Sequence, residues 1–308
     1  MSKKWTTADI PNLDGKIIIV TGANSGIGFD TTLELARKGA QVVMACRSQQ
    51  KADKALQAIK RQLPSAQVEV MLLDLASLDS VRQFAAAFKV KYDRLDVLVN
   101  NAGIMMVPYG ETEDGFERQL GTNHLGHFAL TGLLLGLLRQ VENSRVVNVS
   151  SGGHRMGDMQ FDNLMYTAAT YSPTQAYGRS KLANLLFTYE MQRRLDEVGA
   201  KMLAVAAHPG ASQSNLGAHL ADQGLGYRLM SKLVSILAQS SAMGALPTLR
   251  AAVGEGVEGG DYYGPGGFME MRGYPVKVDS SEASQDKADA QRLWAVSEEL
   301  TGVRFDLS

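Results

Sequence analysis

The chain reads as an α/β protein, a doubly wound parallel sheet with helices on both faces, and three observations predict this. Short apolar runs alternate with longer polar or amphipathic stretches from residue 16 to residue 207. The runs are continuously apolar, as expected of strands buried on both faces, rather than alternating polar and apolar. A glycine-rich turn, TGANSGIG (21–28), follows the first run directly and leads into the first helix. Repeated strand–helix units of this kind join through right-handed crossovers into one parallel sheet.

Taken in order, KIIIV (16–20) is the first strand, and the helix after the glycine turn runs to about Lys38. QVVMA (41–45) is the second strand, followed by a polar helix over 48–62. VEVMLL (68–73) is the third, with a helix over 77–92, and LDVLV (95–99) is the fourth. A long helix is predicted over 115–139, then a fifth strand in RVVNVS (145–150). A helix over 174–198 carries Tyr177 and Lys181, and KMLAVAA (201–207) is the sixth strand. The motif YYGPGG, within the glycine-rich stretch 254–267, reads as a turn around a last strand. No linker or change in composition divides the chain, so 1–308 is expected to form a single domain.

Composition narrows the function classes. The net charge of −1 provides no basic field for nucleic acid and no polybasic patch for membranes. The single cysteine, Cys46, permits no intrachain disulfide and reads as a small packing residue. The N-terminal MSKKWTTADIP has no apolar signal-peptide region, and the longest apolar run, FALTGLLLGLL (128–138), is too short to span a bilayer. A cytoplasmic location without nucleic-acid partner or membrane span is expected.

The glycine turn predicts a dinucleotide site. Gly22, Gly26 and Gly28, with Asn24, Ser25 and Ile27 between them, allow a tight turn and a close approach of backbone to a pyrophosphate. The N–H groups and positive dipole end of the following helix favour the same anion. The second strand ends in MACRS, with Arg47 where an NAD-binding chain usually places Asp or Glu. Arg47 can clamp a 2′-phosphate, which points to NADP. Asp74, beside Leu75 in LLDLAS, is placed to reach the adenine edge. Asn101, Ala102 and Gly103 of NNAG would form the floor near the adenosine. Tyr177 and Lys181 are i and i+4, on one face of a helix.

These motifs, with TNHLGHF, VVNVSS, YGRSK and HPG, resemble the short-chain dehydrogenase/reductase family over nearly the whole chain. ACRS, DLAS, TNHLGHF and the long insert between the serine pair and the tyrosine resemble its retinol-dehydrogenase-like branch. The resemblance implies a Rossmann-type fold and hydride transfer between NADP(H) and a carbonyl or alcohol. Tyr177 then matches the catalytic acid/base and Lys181 its partner, which also holds the nicotinamide ribose. A cation about 4 Å from the phenol, at an effective dielectric of about 20, would stabilise the phenolate by up to about 4 kcal/mol. That corresponds to a lowering of roughly three pKa units from about 10.

By the same resemblance Ser151 holds the reacting oxygen, with Ser150 the neighbouring alternative. Asn123 positions a water that leads protons to Lys181. Pro209, Gly210 and Ser214 match the turn that binds the nicotinamide end. The helices over 115–139 and 174–198 are the family's usual surface for a homodimer or homotetramer. His124 and His127 lack a third ligand at metal spacing, so no metal is expected. His154, in SGGHRMG, reads as a solvated loop residue or as lining the pocket.

The segment 211–240 reads as a substrate lid, with Leu216, Leu220 and Leu225 inward and Gly217, Gly224 and Gly226 as hinges. An apolar aldehyde, ketone or alcohol is the expected substrate. A non-catalytic NADP sensor would typically lack the tyrosine or lysine. A sugar-nucleotide epimerase has a differently spaced glycine motif, and a dehydratase carries acids where Gly152 and Gly153 follow Ser151. An enoyl reductase spaces its tyrosine and lysine further apart.

Overall fold

The computed structural model describes residues 4–212 and 239–307. Its strands are β1 (Ile17–Thr21), β2 (Gln41–Cys46), β3 (Val68–Leu72), β4 (Val97–Asn100), β5 (Arg145–Val149), β6 (Leu203–Ala207), β7 (Tyr262–Pro265) and β8 (Pro275–Lys277). They form one sheet of order β3-β2-β1-β4-β5-β6-β7-β8. Every pairing is parallel except β7 with β8, a hairpin that closes the edge.

The helices are α1 (Gly26–Arg37), α2 (Gln49–Gln62), α3 (Leu78–Lys91), α4 (Gly126–Arg139), α5 (Pro173–Glu197), α6 (Ser241–Val253) and α7 (Lys287–Thr301). Strand side chains alternate between two cores. Ile18, Val20, Val42, Met44, Val99 and Val147 pack with α1, α2 and α6. Ile19, Val43, Leu98, Val146 and Ala204 pack with α3, α4, α5 and α7. The continuous apolar runs follow from this double burial.

The helix expected over 115–139 is not regular. Gly115 lies in a turn with φ of 80°. Helix begins at Arg118–Leu120, passes through a π-type turn at Gly121–Leu125, and becomes α4. Glu117 drives this start. Its buried carboxylate accepts the N–H groups of Gln119 (2.8 Å) and Leu120 (2.7 Å). Just after the π turn, His127 Nδ1 lies 3.0 Å from the Asn123 carbonyl.

The outer face of α4 and α5 is covered by the chain itself. Trp294 of α7 packs edge-on against Phe128 and Phe305 packs tilted against it, with ring centroids 5.4 and 4.8 Å away. Gly132 is required there, since a Cβ would lie 2.7 Å from both Phe305 and Val303. Residues from α7 onward thus occupy part of the face expected for a homodimer or homotetramer. Among the described residues no helix is long and apolar enough to cross a membrane.

Candidate active site

The strand order reverses between β1 and β4, and a cleft of about 340 Å³ opens at the carboxyl ends of these strands and of β5. Its lining includes Gly22, Asn24, Ser25, Gly26, Ile27 and Gly28. Gly22 and Gly26 have φ of 67° and 53°, in the left-handed region that favours glycine. A Cβ on Gly28 would lie 2.4 Å from the Gly22 carbonyl oxygen and 2.6 Å from Asn101 Nδ2. Position 28 is therefore closed to any side chain. Ser25, which precedes α1, makes no capping hydrogen bond, so the first-turn N–H groups keep their capacity for an anion.

Thr21 ties this loop to the next wall. Its hydroxyl accepts the N–H groups of Asn101 and Ala102, both at 2.9 Å, while Asn101 Nδ2 donates to the Thr21 carbonyl at 2.7 Å. Asn101, Ala102 and Gly103 line the cleft as a result.

At the end of β2, Arg47 lines the cleft together with Lys51 from the first turn of α2. The Arg47 side chain is 73% exposed, and its Nε lies 3.8 Å from Asp74 Oδ2. Asp74 Oδ1 accepts the Ala76 N–H at 2.9 Å, so this carboxylate stands beside the arginine and outside the cleft lining. Leu75 is buried against Gly126, also outside it. Burial pushes the Cys46 thiol up to about 11, as for an inert packing residue.

The catalytic candidates meet at the other end. Tyr177 and Lys181 lie one turn apart on α5, both buried and both lining the cleft. Lys181 Nζ donates to the Val149 carbonyl at 3.0 Å and lies 6.0 Å from the centre of the Tyr177 ring. The two serines divide their work. Ser150 Oγ donates to the Lys181 carbonyl at 2.8 Å, which commits that hydroxyl to the α5 backbone. The Ser151 hydroxyl instead borders the Tyr177 ring across Gly153, where a Cβ would lie 3.3 Å from Ser151 Oγ. Gly153 makes room for this pair, since a Cβ there would lie 3.0 Å from the tyrosine ring.

Asn123, in the π turn, is committed on all sides. It accepts the Ile104 N–H (2.8 Å), and its amide donates to the Ile104 carbonyl and to Ser180 Oγ (both 2.9 Å). A Cβ on Gly103 would lie 3.1 Å from Asn123 Oδ1 and 3.4 Å from Lys181 Nζ, so the three groups meet there.

The electrostatics differ from the expectation that the lysine charge dominates the phenol. Burial raises Tyr177 above its ordinary value, and the neighbouring Ser151 hydroxyl works against that. The same burial brings Lys181 down to about 8. Desolvation penalises phenolate and ammonium alike, so both side chains are pushed toward their neutral forms.

Pro209 lines the cleft. Gly210 has φ of 64°, and a Cβ there would meet the Met271 carbonyl at 2.5 Å. Ser214 and nearly all of the expected lid, 213–238, lie outside the described residues. The ends of that segment meet, since Gln239 N–H donates to the Ala211 carbonyl at 2.8 Å.

Ile104, Met105 and Val107 form an apolar wall. Gln119 holds it by accepting the Met106 N–H (2.7 Å), and Tyr171 by donating to the Val107 carbonyl (2.7 Å). Lys51, Gln119 and Tyr171 carry no motif and were not legible in the sequence.

His124 Nε2 bonds Ser297 Oγ and His127 Nε2 bonds Thr21 Oγ1, each at 2.9 Å, so both are structural. Among the described residues no cluster of metal-ligating side chains occurs. His154 is buried, not solvated, because its ring is held between Ser151 and Ser281.

Comparison with known proteins agrees with this geometry. The family model described as short chain dehydrogenase matches residues 16–224. Human retinol dehydrogenase 13 is 41% identical over 295 residues, covering 94% of this chain and 86% of that protein. A solved structure of an uncharacterized protein from Mycobacterium paratuberculosis is 43% identical, with a TM-score of 0.82, and covers 99% of this chain and 100% of that one. The RhlG/NADP active-site complex of Pseudomonas aeruginosa is 25% identical with a TM-score of 0.63, covering 82% of this chain and 94% of that one. The chain belongs to the short-chain dehydrogenase family of oxidoreductases, and within it resembles the retinol dehydrogenases.

Proposed function

We propose that the protein is an NADP-dependent oxidoreductase that interconverts an apolar aldehyde or ketone with its alcohol. One observation carries this reading: Tyr177 and Lys181 line one cleft with the Gly22–Gly28 turn and the apolar wall of Ile104, Met105 and Val107, and the Ser151 hydroxyl borders the Tyr177 ring across Gly153. The chemistry a bound nicotinamide would supply is hydride transfer. The residues fit such a group. The Gly22–Gly28 turn and the first turn of α1 would hold its pyrophosphate, and Arg47 with Lys51 its 2′-phosphate. Asn101, Ala102 and Gly103 would flank the adenosine, whereas Asp74 and Leu75, expected there from the sequence, stand outside the cleft lining. Lys181 would hold the nicotinamide ribose, and Pro209, Gly210 and Ser214 the nicotinamide end.

In carbonyl reduction Tyr177 gives its proton to the substrate oxygen, and in alcohol oxidation it takes one back. Ser151 donates a hydrogen bond to that oxygen as charge develops on it. Asn123 shapes the floor beneath Lys181, which exchanges the proton onward. A phenol raised by burial stays protonated near neutral pH, which suits the reducing direction. The apolar wall supports an aliphatic, aromatic or terpenoid substrate, and a cytoplasmic location fits NADPH-driven reduction. The test is a matched panel of apolar and polyhydroxylated carbonyls followed by NADPH absorbance. Efficient turnover of the apolar set is expected, and turnover of the polar set alone would overturn the substrate class.

A further inference from the structure

His154 lies in the turn after Ser151, a 3₁₀ segment at Gly152–Met156, and is 1% exposed. Both ring nitrogens have partners. Nε2 is 3.1 Å from the Ser281 backbone nitrogen. A backbone N–H can only donate, so Nε2 accepts, and the neutral ring must then carry its proton on Nδ1. Nδ1 lies 2.7 Å from the Ser151 carbonyl oxygen and donates to it. The His154 backbone N–H donates to the same oxygen at 3.0 Å. Ser151 Oγ, in turn, accepts the Gly153 N–H at 3.1 Å. The serine is fixed at both its oxygens, and its hydroxyl proton is left for the group facing it. Tyr262 packs edge-on against the imidazole, with centroids 6.0 Å apart and planes at 80°. A flipped ring would lose both hydrogen bonds within this packing.

We propose that His154 is a positioning residue, whose pinned Nδ1–H tautomer aims the Ser151 hydroxyl at the substrate oxygen from an anchor at Ser281. The segment holding the ring is 127 positions further along the chain, between β8 and α7. The proposal rests on the reading of Ser151 as hydrogen-bond donor in the reaction. It differs from a structural role in one respect: the effect of His154 passes through Ser151.

The test is a double-mutant cycle on the full-length protein, assayed with NADPH and an apolar aldehyde that the wild type reduces. His154→Leu is expected to lower kcat by about tenfold to a hundredfold through misplacement of the serine, with KM for NADPH within about twofold. In a Ser151→Ala background, where residual turnover is measured, the same change should cost less than about threefold. A full loss in that background would overturn the proposal.

Should His154→Leu fail to fold, His154→Asn and His154→Gln carry the test. The asparagine amide can take the place of Nδ1 and donate to the Ser151 carbonyl, so kcat should stay within about fivefold of wild type. The glutamine amide takes the place of Nε2, meets Ser281 and leaves that carbonyl without its ring donor, so kcat should fall by tenfold or more. The reverse order would show that anchoring Ser281 is all that His154 does. If Ser151→Ala itself left kcat unchanged, the reading of Ser151 would fail instead, and this outcome is separable from the others.

Discussion

Burial acts on Tyr177 and Lys181 in opposite senses, raising the phenol and bringing the ammonium down to about 8. At the residue scale both side chains are thus pushed toward their neutral forms. The other decisive residues are Arg47 and Lys51 at the far end of the cleft. Arg47 is largely exposed, so solvent screens it, and the two cations together support a modest preference. NADP should bind about tenfold more tightly than NAD, or roughly 1.4 kcal/mol. A pair of titrations measures this, and Arg47→Asp should abolish or reverse the difference. Equal affinities in the wild type would show that neither cation contacts the 2′-phosphate. Arg47 was legible because it ends a recognisable strand. Lys51 was not, because only the tertiary approach of α2 to the glycine turn gives it a role.

Strands and helices were legible where one physical rule governed them. The runs at β1, β2, β4, β5 and β6 are apolar because helices cover both sheet faces, and TGANSGIG could only be a turn. The π turn at Gly121–Leu125 was not legible, since its register depends on Glu117 capping the preceding turn and on His127 reaching Asn123. The C-terminal helix α7 went unread although its signals are present: Asp286 caps it, and Gly302 ends it at φ of 64°.

The π turn and α4 also set the response to acid. Burial lowers His124 to about 3 and His127 to about 4, from an ordinary value near 6.5. Below pH 6.5 the unfolded chain takes up protons that the folded chain refuses, so stability falls as pH falls toward 4. Each histidine contributes a slope of up to about 1.4 kcal/mol per pH unit. The urea midpoint should therefore drop between pH 7 and pH 5, and His124→Asn should flatten the dependence. An unchanged midpoint would mean that these imidazoles titrate in the fold as they do in solution.

For the whole molecule, α7 and residues 302–307 close the face of α4 and α5 that the sequence suggested for a homodimer or homotetramer. Trp294 and Phe305 pack on Phe128 there and on each other. Sedimentation velocity at micromolar concentration should give a monomer, and a dimer would have to use another face. The Ser281 N–H also ties the segment before α7 to the turn after Ser151 through His154, so the candidate site draws on residues spread over most of the chain. On the proposed function, the Tyr177 hydroxyl moves the proton. The direct measurement is single-turnover reduction of an apolar aldehyde by NADPH with wild type and Tyr177→Phe, alongside NADPH dissociation constants for both. Loss of one phenolic oxygen should lower the rate by about a thousandfold or more, within the range of general acid catalysis, and leave cofactor affinity within about twofold. A rate within tenfold of wild type would contradict the assignment of Tyr177 as the proton donor.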